Sequence, residues 1–199
     1  MNRLKLKDIL QIRDEYSGDI LVHVSDTPLI SLLYIKKIVK KLNAKYVIHT
    51  GDFIDELKTT HPLFDEKDYE RAISKFMNKL KGLSIDDIYL VPGNHDNPTL
   101  LEKYKDDFKI IREGSVIDIG GVSFSVAHDY NNLKVISGKR GRVYYLYGHN
   151  KYRDEREQYL NGYCSINIIF IDSFKVYSIP YPFFVNIVRG KNHPIKIGL

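Results

Sequence analysis

The chain of 199 residues contains a single cysteine, Cys164, and no tryptophan. One cysteine excludes an intramolecular disulfide, and it equally excludes a zinc site built from several cysteines. Cys164 lies within a run of residues typical of a strand, so we expect it to be a small buried hydrophobic side chain.

Long apolar runs are also absent. No segment approaches the roughly 20 consecutive apolar residues that a membrane-spanning helix needs. The first residues, 1–5, are not followed by the apolar stretch of a secretion signal. We therefore expect a cytoplasmic protein with no membrane partner. The length fits a single domain over residues 1–199. The sequence makes no prediction about the oligomeric state.

The net charge of +5 is moderate. It suits an anionic partner but does not distinguish a nucleotide, a nucleic acid and a phosphoprotein. The densest basic segment is the loop at 138–142. A solvated turn is the simpler interpretation of this loop. The alternative, a phosphate-contacting loop, keeps nucleic acid as a second candidate partner and predicts binding that weakens with salt.

Short apolar runs and helical spacing alternate in the first half of the chain. Runs at 20–25, 46–49 and 88–91 predict buried strands. Apolar residues at helical spacing over about 29–42 and 65–80 predict two amphipathic helices between them. Strands that alternate with helices indicate a parallel sheet with right-handed crossovers.

The second half is rich in strand-like segments. A two-residue hairpin turn is predicted at Gly120-Gly121, between strands at 116–119 and 122–126. We also predict a short helix at about 100–104, a strand at 144–147, and a hairpin formed by 163–171 and 175–179. Three prolines after residue 179 indicate an irregular tail.

Polar residues follow the predicted strands at the points where the strands end. Asp26 and Asp52 follow two neighbouring strands, and two carboxylates that meet there resist joint ionisation unless a cation lies between them. Later strand ends add an amide and three imidazoles: Asn94, His95, His128 and His149. Such a mixed set of ligands suits Mn, Fe, Zn, Co or Ni. Each residue alone is typical of a turn or a helix cap, so the prediction depends on all of them converging.

Read in order, these residues resemble the pattern of the calcineurin-like metallophosphoesterase superfamily, D-x-H, G-D, G-N-H-D/E, a lone H, and G-H-x-H. The match extends from Asp26 to His149, and Gly93-Asn94-His95-Asp96 is its most specific piece. The resemblance implies an α/β fold, a β-sandwich flanked by helices in four αββα layers. It also implies metal-dependent hydrolysis of phosphomonoesters or phosphodiesters, with a phosphate ester as the substrate.

In that superfamily two metal ions lie about 3.5–4 Å apart and share a hydroxide that attacks phosphorus in line. The residues that match the second metal position form a complete set: Asp52, Asn94, His128 and His149. The first position keeps Asp26 and the shared Asp52. Pro28 and Lys151 stand where its two histidines are expected, and neither side chain offers a lone pair.

Three interpretations of this departure remain open. The first position could hold Mg or Mn weakly, through Asp26, water and a further residue, for which the candidates are His23, Asp55 and Asp129. Alternatively Lys151 replaces the lost cation and pairs with Asp26 or a phosphate oxygen. Third, the domain is catalytically impaired and retains binding of a phosphate-bearing ligand or a protein partner. We favour the first two, because the second position is complete.

The resemblance also assigns catalytic roles. His95 would protonate the leaving oxygen or stabilise the transition state, and Asp96 would fix the other ring nitrogen of His95. The alternative for Asp96 is an N-cap of the short helix that follows. Asn94 and Lys151 are also candidate substrate contacts, and the alternative for Lys151 is a solvated loop lysine.

Two further histidines, His23 and His49, each precede a motif aspartate by three residues. Both lie within predicted strands, and we expect buried, hydrogen-bonded side chains there rather than metal ligands.

Overall fold

The computed structural model describes residues 2–3, 5–54, 66–83, 85–138 and 141–189. Its strands, in chain order, are β1 (Asn2–Arg3), β2 (Ile20–Val24), β3 (Tyr46–His49), β4 (Asp87–Leu90), β5 (Lys109–Ile110), β6 (Ser115–Ile119), β7 (Val122–Val126), β8 (Val143–Tyr147), β9 (Tyr159–Asn161), β10 (Ile166–Phe170) and β11 (Lys175–Ile179). Its α-helices are α1 (Leu6–Asp14), α2 (Leu32–Leu42), α3 (Glu66–Lys81), α4 (Pro98–Leu101) and α5 (Phe183–Val188).

The strands form two sheets. The larger sheet has the order β1-β11-β10-β2-β3-β4-β5, and the smaller one has the order β6-β7-β8-β9. Strands β2, β3, β4 and β5 run parallel, as the alternation of strands and helices predicts, and β10 runs antiparallel to β2. Since β7 and β8 are also parallel, several strands of each sheet end in the same direction.

Successive side chains along a strand point to opposite faces of the sheet, so the apolar residues divide between a core under the helices and a core between the two sheets. In β2, Val22 faces the core that the helices cover, whereas Leu21 faces the core between the two sheets. Phe124 and Leu146 of the smaller sheet also face the core between the sheets. The predicted sandwich of two sheets flanked by helices is therefore confirmed. In the described part of the chain, the outer face of the smaller sheet carries a tyrosine cluster rather than a long helix.

Helix α2 shows how the sequence defines an element. Its buried side chains recur at helical spacing, and it ends at Asn43, whose φ of 48° terminates the helix in the left-handed conformation. The sequence predicted a start near Leu29, but Leu29–Ser31 form a 3₁₀ turn first. The carbonyl of Pro28 accepts hydrogen bonds from the Ser31 N–H (2.8 Å) and hydroxyl (2.7 Å), which fixes this turn.

Several predictions for the second half need correction. The tail beyond residue 179 is not wholly irregular, because α5 forms there and buries Val185. Cys164 lies in a turn and is partly exposed, since β10 begins only at Ile166. The sequence also gave no indication of α1 or of the three-residue strand β9. The hairpin at Gly120-Gly121 is confirmed, with Ile119 paired to Val122.

None of the helices in the described segments is both long and apolar enough to cross a membrane.

Candidate metal centre

The predicted metal ligands lie just beyond strand ends of both sheets. Asp26, Asp52 and Asn94 follow β2, β3 and β4 of the larger sheet, while His128 and His149 follow β7 and β8 of the smaller one. Three of these five have left-handed backbones, with φ of 50° at Asp26, 52° at Asp52 and 67° at His149. Strained non-glycine residues of this kind persist where the surrounding structure holds them, often at functional sites.

The structure brings all five predicted ligands together. One ligand atom each from Asp26, Asp52 and His128 lies within 4.8 Å of the other two, and all three residues are buried. The Nε2 atom of His128 lies 3.0 Å from Asn94 Oδ1 and 3.1 Å from His149 Nδ1. Asp26 Oδ2 also accepts a hydrogen bond of 3.1 Å from the His149 N–H, which joins the two sheets across the centre.

The hydrogen bonds of His128 allow a test of whether a cation fits. Its Nδ1 lies 2.7 Å from the Thr50 carbonyl oxygen, which can only accept, so Nδ1 carries a hydrogen. Its Nε2 faces Asn94 Oδ1 at 3.0 Å and Asp52 Oδ1 at 3.5 Å, both of which are acceptors. His149 Nδ1 is a further neighbour of Nε2, at 3.1 Å. His128 therefore is protonated, accepts a hydrogen bond from His149, or directs its Nε2 lone pair, with these oxygens, at a cation. The donor set therefore fits a divalent metal ion.

The surrounding charges stabilise a positive charge at His128, whether it is a proton or a metal ion. Burial lowers the pKa of His128, but the Asp52 and Asp26 carboxylates and the hydrogen bond to Thr50 outweigh it, so that the pKa lies above its usual value. A metal ion would displace the proton and neutralise the same carboxylates.

Close packing of the loops depends on glycine. A Cβ at Gly51 would lie 2.6 Å from the Cα of Gly93, and Gly51 has a φ of 92°. A Cβ at Gly93 would lie 2.6 Å from the backbone nitrogen of Asp52, and one at Gly148 would lie 2.6 Å from Asp26 Oδ2. The glycines of the G-D, G-N-H-D and G-H motifs thus let the loops approach closely enough for the ligands to meet.

Asp96 contacts the loops rather than the ring of His95. Its carboxylate accepts hydrogen bonds from the N–H groups of Gly93 (2.8 Å), Asp52 (2.8 Å) and Phe53 (3.1 Å), and from the Tyr69 hydroxyl (3.0 Å). Burial and the Asp52 carboxylate raise the pKa of Asp96 to about 7, although these hydrogen bonds act in the opposite direction. The carboxylate ties the β3 and β4 loops together.

The expected N-cap role of Asp96 needs correction as well. Asn97 caps α4, because its side-chain oxygen accepts from the Thr99 N–H (3.0 Å) and the Leu100 N–H (3.3 Å). Pro98 occupies the first helical position, which leaves the cap one residue later than predicted.

His95 is half-buried beside the centre. Its backbone N–H donates to Asp52 Oδ1 at 3.2 Å, and within the described residues its ring makes no hydrogen bond. Lys151 is exposed on the loop that follows His149, and Pro28 is buried at the end of the Asp26 loop. The structure therefore places His95 and Lys151 on the loops that carry the predicted ligands Asn94 and His149.

The two described candidates for the first position, His23 and Asp129, have other hydrogen-bond partners. His23 Nε2 bonds to Thr50 Oγ1 at 3.0 Å and its Nδ1 accepts from Asn167 at 3.1 Å, while burial lowers its pKa to about 3. Asp129 Oδ1 accepts from the Asn131 N–H at 2.9 Å. Asp55 lies outside the described residues. His49 is buried, with Nε2 2.7 Å from Thr27 Oγ1 and no hydrogen-bond partner at Nδ1 among the described residues. Both strand histidines are therefore buried and hydrogen-bonded, as predicted.

Arg189, at the end of α5, gave no signal in the sequence. Its guanidinium is buried and donates to the carbonyl oxygens of Asp26 (2.6 Å), Ser25 (2.8 Å) and Tyr163 (2.9 Å). It also lies 4.1 Å from the centroid of the Tyr181 ring. Helix α5 thereby holds the loop that carries Asp26. Only a long-range contact reveals this role.

Comparison with known proteins agrees with this geometry. The sequence model of the calcineurin-like phosphoesterase family matches residues 18–192. The chain therefore belongs to the calcineurin-like phosphoesterase family, and the resemblance seen in its motifs is confirmed.

Solved structures share the fold. One, described as a novel archaeal phosphodiesterase, has a TM-score of 0.55 and 19% identity, covering 81% of this chain and 99% of its own. The phosphoesterase Yfce from E. coli has a TM-score of 0.54 and 13% identity, covering 82% of this chain and 100% of its own. No curated protein sequence matches this chain significantly. At such low identity the two structures establish the fold alone.

Proposed function

We propose that this protein is a metal-dependent phosphoesterase that hydrolyses phosphomonoesters or phosphodiesters. One observation carries the proposal: Asp26, Asp52 and His128 offer ligand atoms within 4.8 Å of one another, next to Asn94 and His149. A divalent ion such as Mn, Fe, Ni, Co, Zn or Mg, when bound, would activate water and polarise the phosphoryl group. Family membership supports this reading.

The residues around the ion have separate tasks in this proposal. Asp96 fixes the loops of Asp52 and Asn94 before substrate binds, which reduces the reorganisation that the reaction requires. His95 is half-buried on the same loop, and its ring would give a proton to the leaving oxygen. Lys151 and Asn94 would contact phosphate oxygens, since both are exposed on ligand-bearing loops.

Hydrolysis of p-nitrophenyl phosphate and bis-p-nitrophenyl phosphate tests the proposal. We expect turnover with added Mn, Ni, Co, Mg or Zn, its loss on chelation, and recovery when metal is restored. The His95→Gln variant should keep its bound metal and lose activity by on the order of a hundredfold or more, the size of a general-acid contribution. Absence of turnover with every ion would overturn the enzyme proposal.

A second candidate function follows from the two missing histidines. Pro28 is buried in a turn and supplies no ligand, so the first metal position has fewer protein ligands than the family pattern. A chain of this kind could act as a binding module for a phosphate-bearing ligand or a protein partner. Phosphate binding without turnover under any ion would favour it.

Restoring the two histidines tests what limits the first position. The double variant Pro28→His with Lys151→His is expected to raise the number of tightly bound Mn ions toward about two per chain. Lys151→Met is the matched control, because it removes the ammonium without adding an oxygen or nitrogen ligand. Metal analysis after desalting gives the stoichiometry. An unchanged value in the double variant would show that the missing ligands do not limit this position.

A further inference from the structure

Two tyrosines lie on the loops that carry metal ligands. Tyr130 follows His128 by two residues and Tyr152 follows His149 by three. Chain geometry keeps their Cα atoms within roughly 7 and 11 Å of those ligands. The two rings pack edge to face, with centroids 4.9 Å apart. The pair therefore links the two ligand loops, and Tyr130 packs with the tyrosine cluster on the outer face of the smaller sheet.

The ring of Tyr152 is exposed, but its backbone is held. The residue is 52% exposed. Its N–H donates to Asn150 Oδ1 at 2.8 Å, and its carbonyl accepts from the Tyr147 hydroxyl at 3.2 Å and from the Asn161 amide. Asn161 is buried and also donates to the Asn150 carbonyl at 2.9 Å. With its backbone held and its ring packed against Tyr130, Tyr152 has less conformational freedom to lose when a ligand packs on it.

Tyr130 supports that ring from the other side. Its hydroxyl donates to Asp154 Oδ2 at 2.7 Å and accepts from Arg156 at 2.9 Å. Its ring also packs on Tyr147, with centroids 5.2 Å apart. Since Tyr130 is already partnered on several sides, the surface that remains open to a ligand belongs to Tyr152.

The surroundings of Tyr152 favour an anionic ligand with a flat aromatic part. Lys151 and Arg153 are exposed on either side of it in the chain, and Arg153 also donates to the Cys164 carbonyl at 3.3 Å. Of the acidic residues that follow, Asp154 pairs with Arg156 and Glu155 is exposed. The metal-ligand loop begins three residues earlier. Phosphate groups pair with such cations, and nucleobases stack on exposed aromatic rings in a manner that tolerates any base. We propose that Tyr152 stacks on the nucleobase of a nucleotidyl phosphodiester whose phosphate lies at the metal centre. The position of the phosphate rests on the proposed function; the stacking contact does not.

Two esters with the same leaving group test this inference. Thymidine 5′-p-nitrophenyl phosphate carries a base, whereas methyl p-nitrophenyl phosphate does not. We expect Tyr152→Ala to lower kcat/KM about tenfold for the thymidine ester, the size of one base–aromatic stack, mainly through KM. The methyl ester should be hydrolysed as before. Tyr152→Phe keeps the ring and should retain the preference.

Phe174→Ala is the matched control. Phe174 is 47% exposed in the turn between β10 and β11. Because Phe170 pairs with Ile20 at the start of β2, this turn lies at the end of the sheet away from Asp26. Its removal should change neither substrate. A Tyr152→Ala variant that affects both esters equally, or neither, would overturn the stacking contact.

If the protein hydrolyses neither ester, calorimetry of the Mn-loaded protein compares its affinity for thymidine 5′-monophosphate with its affinity for inorganic phosphate. Tighter binding of the nucleotide that Tyr152→Ala abolishes supports stacking without catalysis, and equal affinities overturn it. If a thymidine decanucleotide binds more tightly than the monophosphate, and its binding weakens steeply with salt, the ring binds a base within a nucleic acid strand. Equal binding of the two would assign the ring to a mononucleotide.

Discussion

Replacing Asp52 by asparagine is expected to abolish most metal binding, and hydrolysis with it. Asp52 Oδ1 faces His128 Nε2 at 3.5 Å and belongs to the same cluster as Asp26. The substitution keeps the shape but removes one of the charges that attract the cation. Even residues that only support a ligand change metal affinity by about 10–100-fold, so loss of this ligand should weaken binding by on the order of a hundredfold or more. Titration with Mn and a competing chelator measures it.

The fold should survive this substitution. Without metal, removing the Asp52 charge relieves its repulsion with the Asp26 and Asp96 carboxylates, but it also removes the attraction between Asp52 and a protonated His128. These effects oppose each other, so the metal-free variant should unfold at a urea concentration close to that of the metal-free parent. Asp118→Asn, in the β6–β7 hairpin, is the control and should bind metal normally. Unchanged metal affinity in Asp52→Asn would refute the assignment of this ligand.

Replacing Gly51 by alanine should lower the free energy of unfolding more than either Asp52→Asn or Gly121→Ala does. The φ of 92° at Gly51 disfavours alanine by about 1–2 kcal/mol. The new Cβ would also lie 2.6 Å from the Gly93 backbone and 2.6 Å from His128 Nδ1, and such overpacking costs about 1–3 kcal/mol. The loops would separate, so metal binding should fall as well. Urea unfolding of the metal-free protein measures the first effect.

Gly121→Ala separates the two contributions. Gly121 has a φ of 79°, but a Cβ there would meet no atom within 4 Å. The left-handed backbone alone should therefore destabilise this variant, and it should bind metal as before. If Gly51→Ala proved no more destabilising than Gly121→Ala, close approach of the β3 and β4 loops would not be what requires glycine.

The sequence predicted the parts of the structure that depend on local pattern. Apolar runs located β2, β3 and β4, and the residues that follow them proved to be neighbours because parallel strands end at one edge of the sheet. The motif order also anticipated that Asp26, Asp52 and His128 would meet. The extent of a single domain over residues 1–199 and the catalytic roles of individual residues stay predictions.

Contacts between distant segments were not predictable. Tyr69 appeared only as a core residue of a helix, yet its hydroxyl bonds to Asp96 at 3.0 Å. Arg189 lay in a tail expected to be irregular, yet it holds the carbonyl of Asp26. The motif alone predicted that Asp96 bonds to the ring of His95, whereas backbone N–H groups of two loops donate hydrogen bonds to its carboxylate. Neither periodicity nor motif spacing contains information on such partners.

Anomalous diffraction from crystals soaked in Mn tests the central claim most directly. Data collected near the Mn absorption edge should show a peak between Asp52 Oδ1 and His128 Nε2, at about the 2.0–2.2 Å ligand distance typical of such ions. Asn94 and His149 should line the same peak. A second peak beside Asp26 would show that the first position also fills. A map with no peak at these residues, or with the ion bound elsewhere, would contradict the assignment of a metal centre.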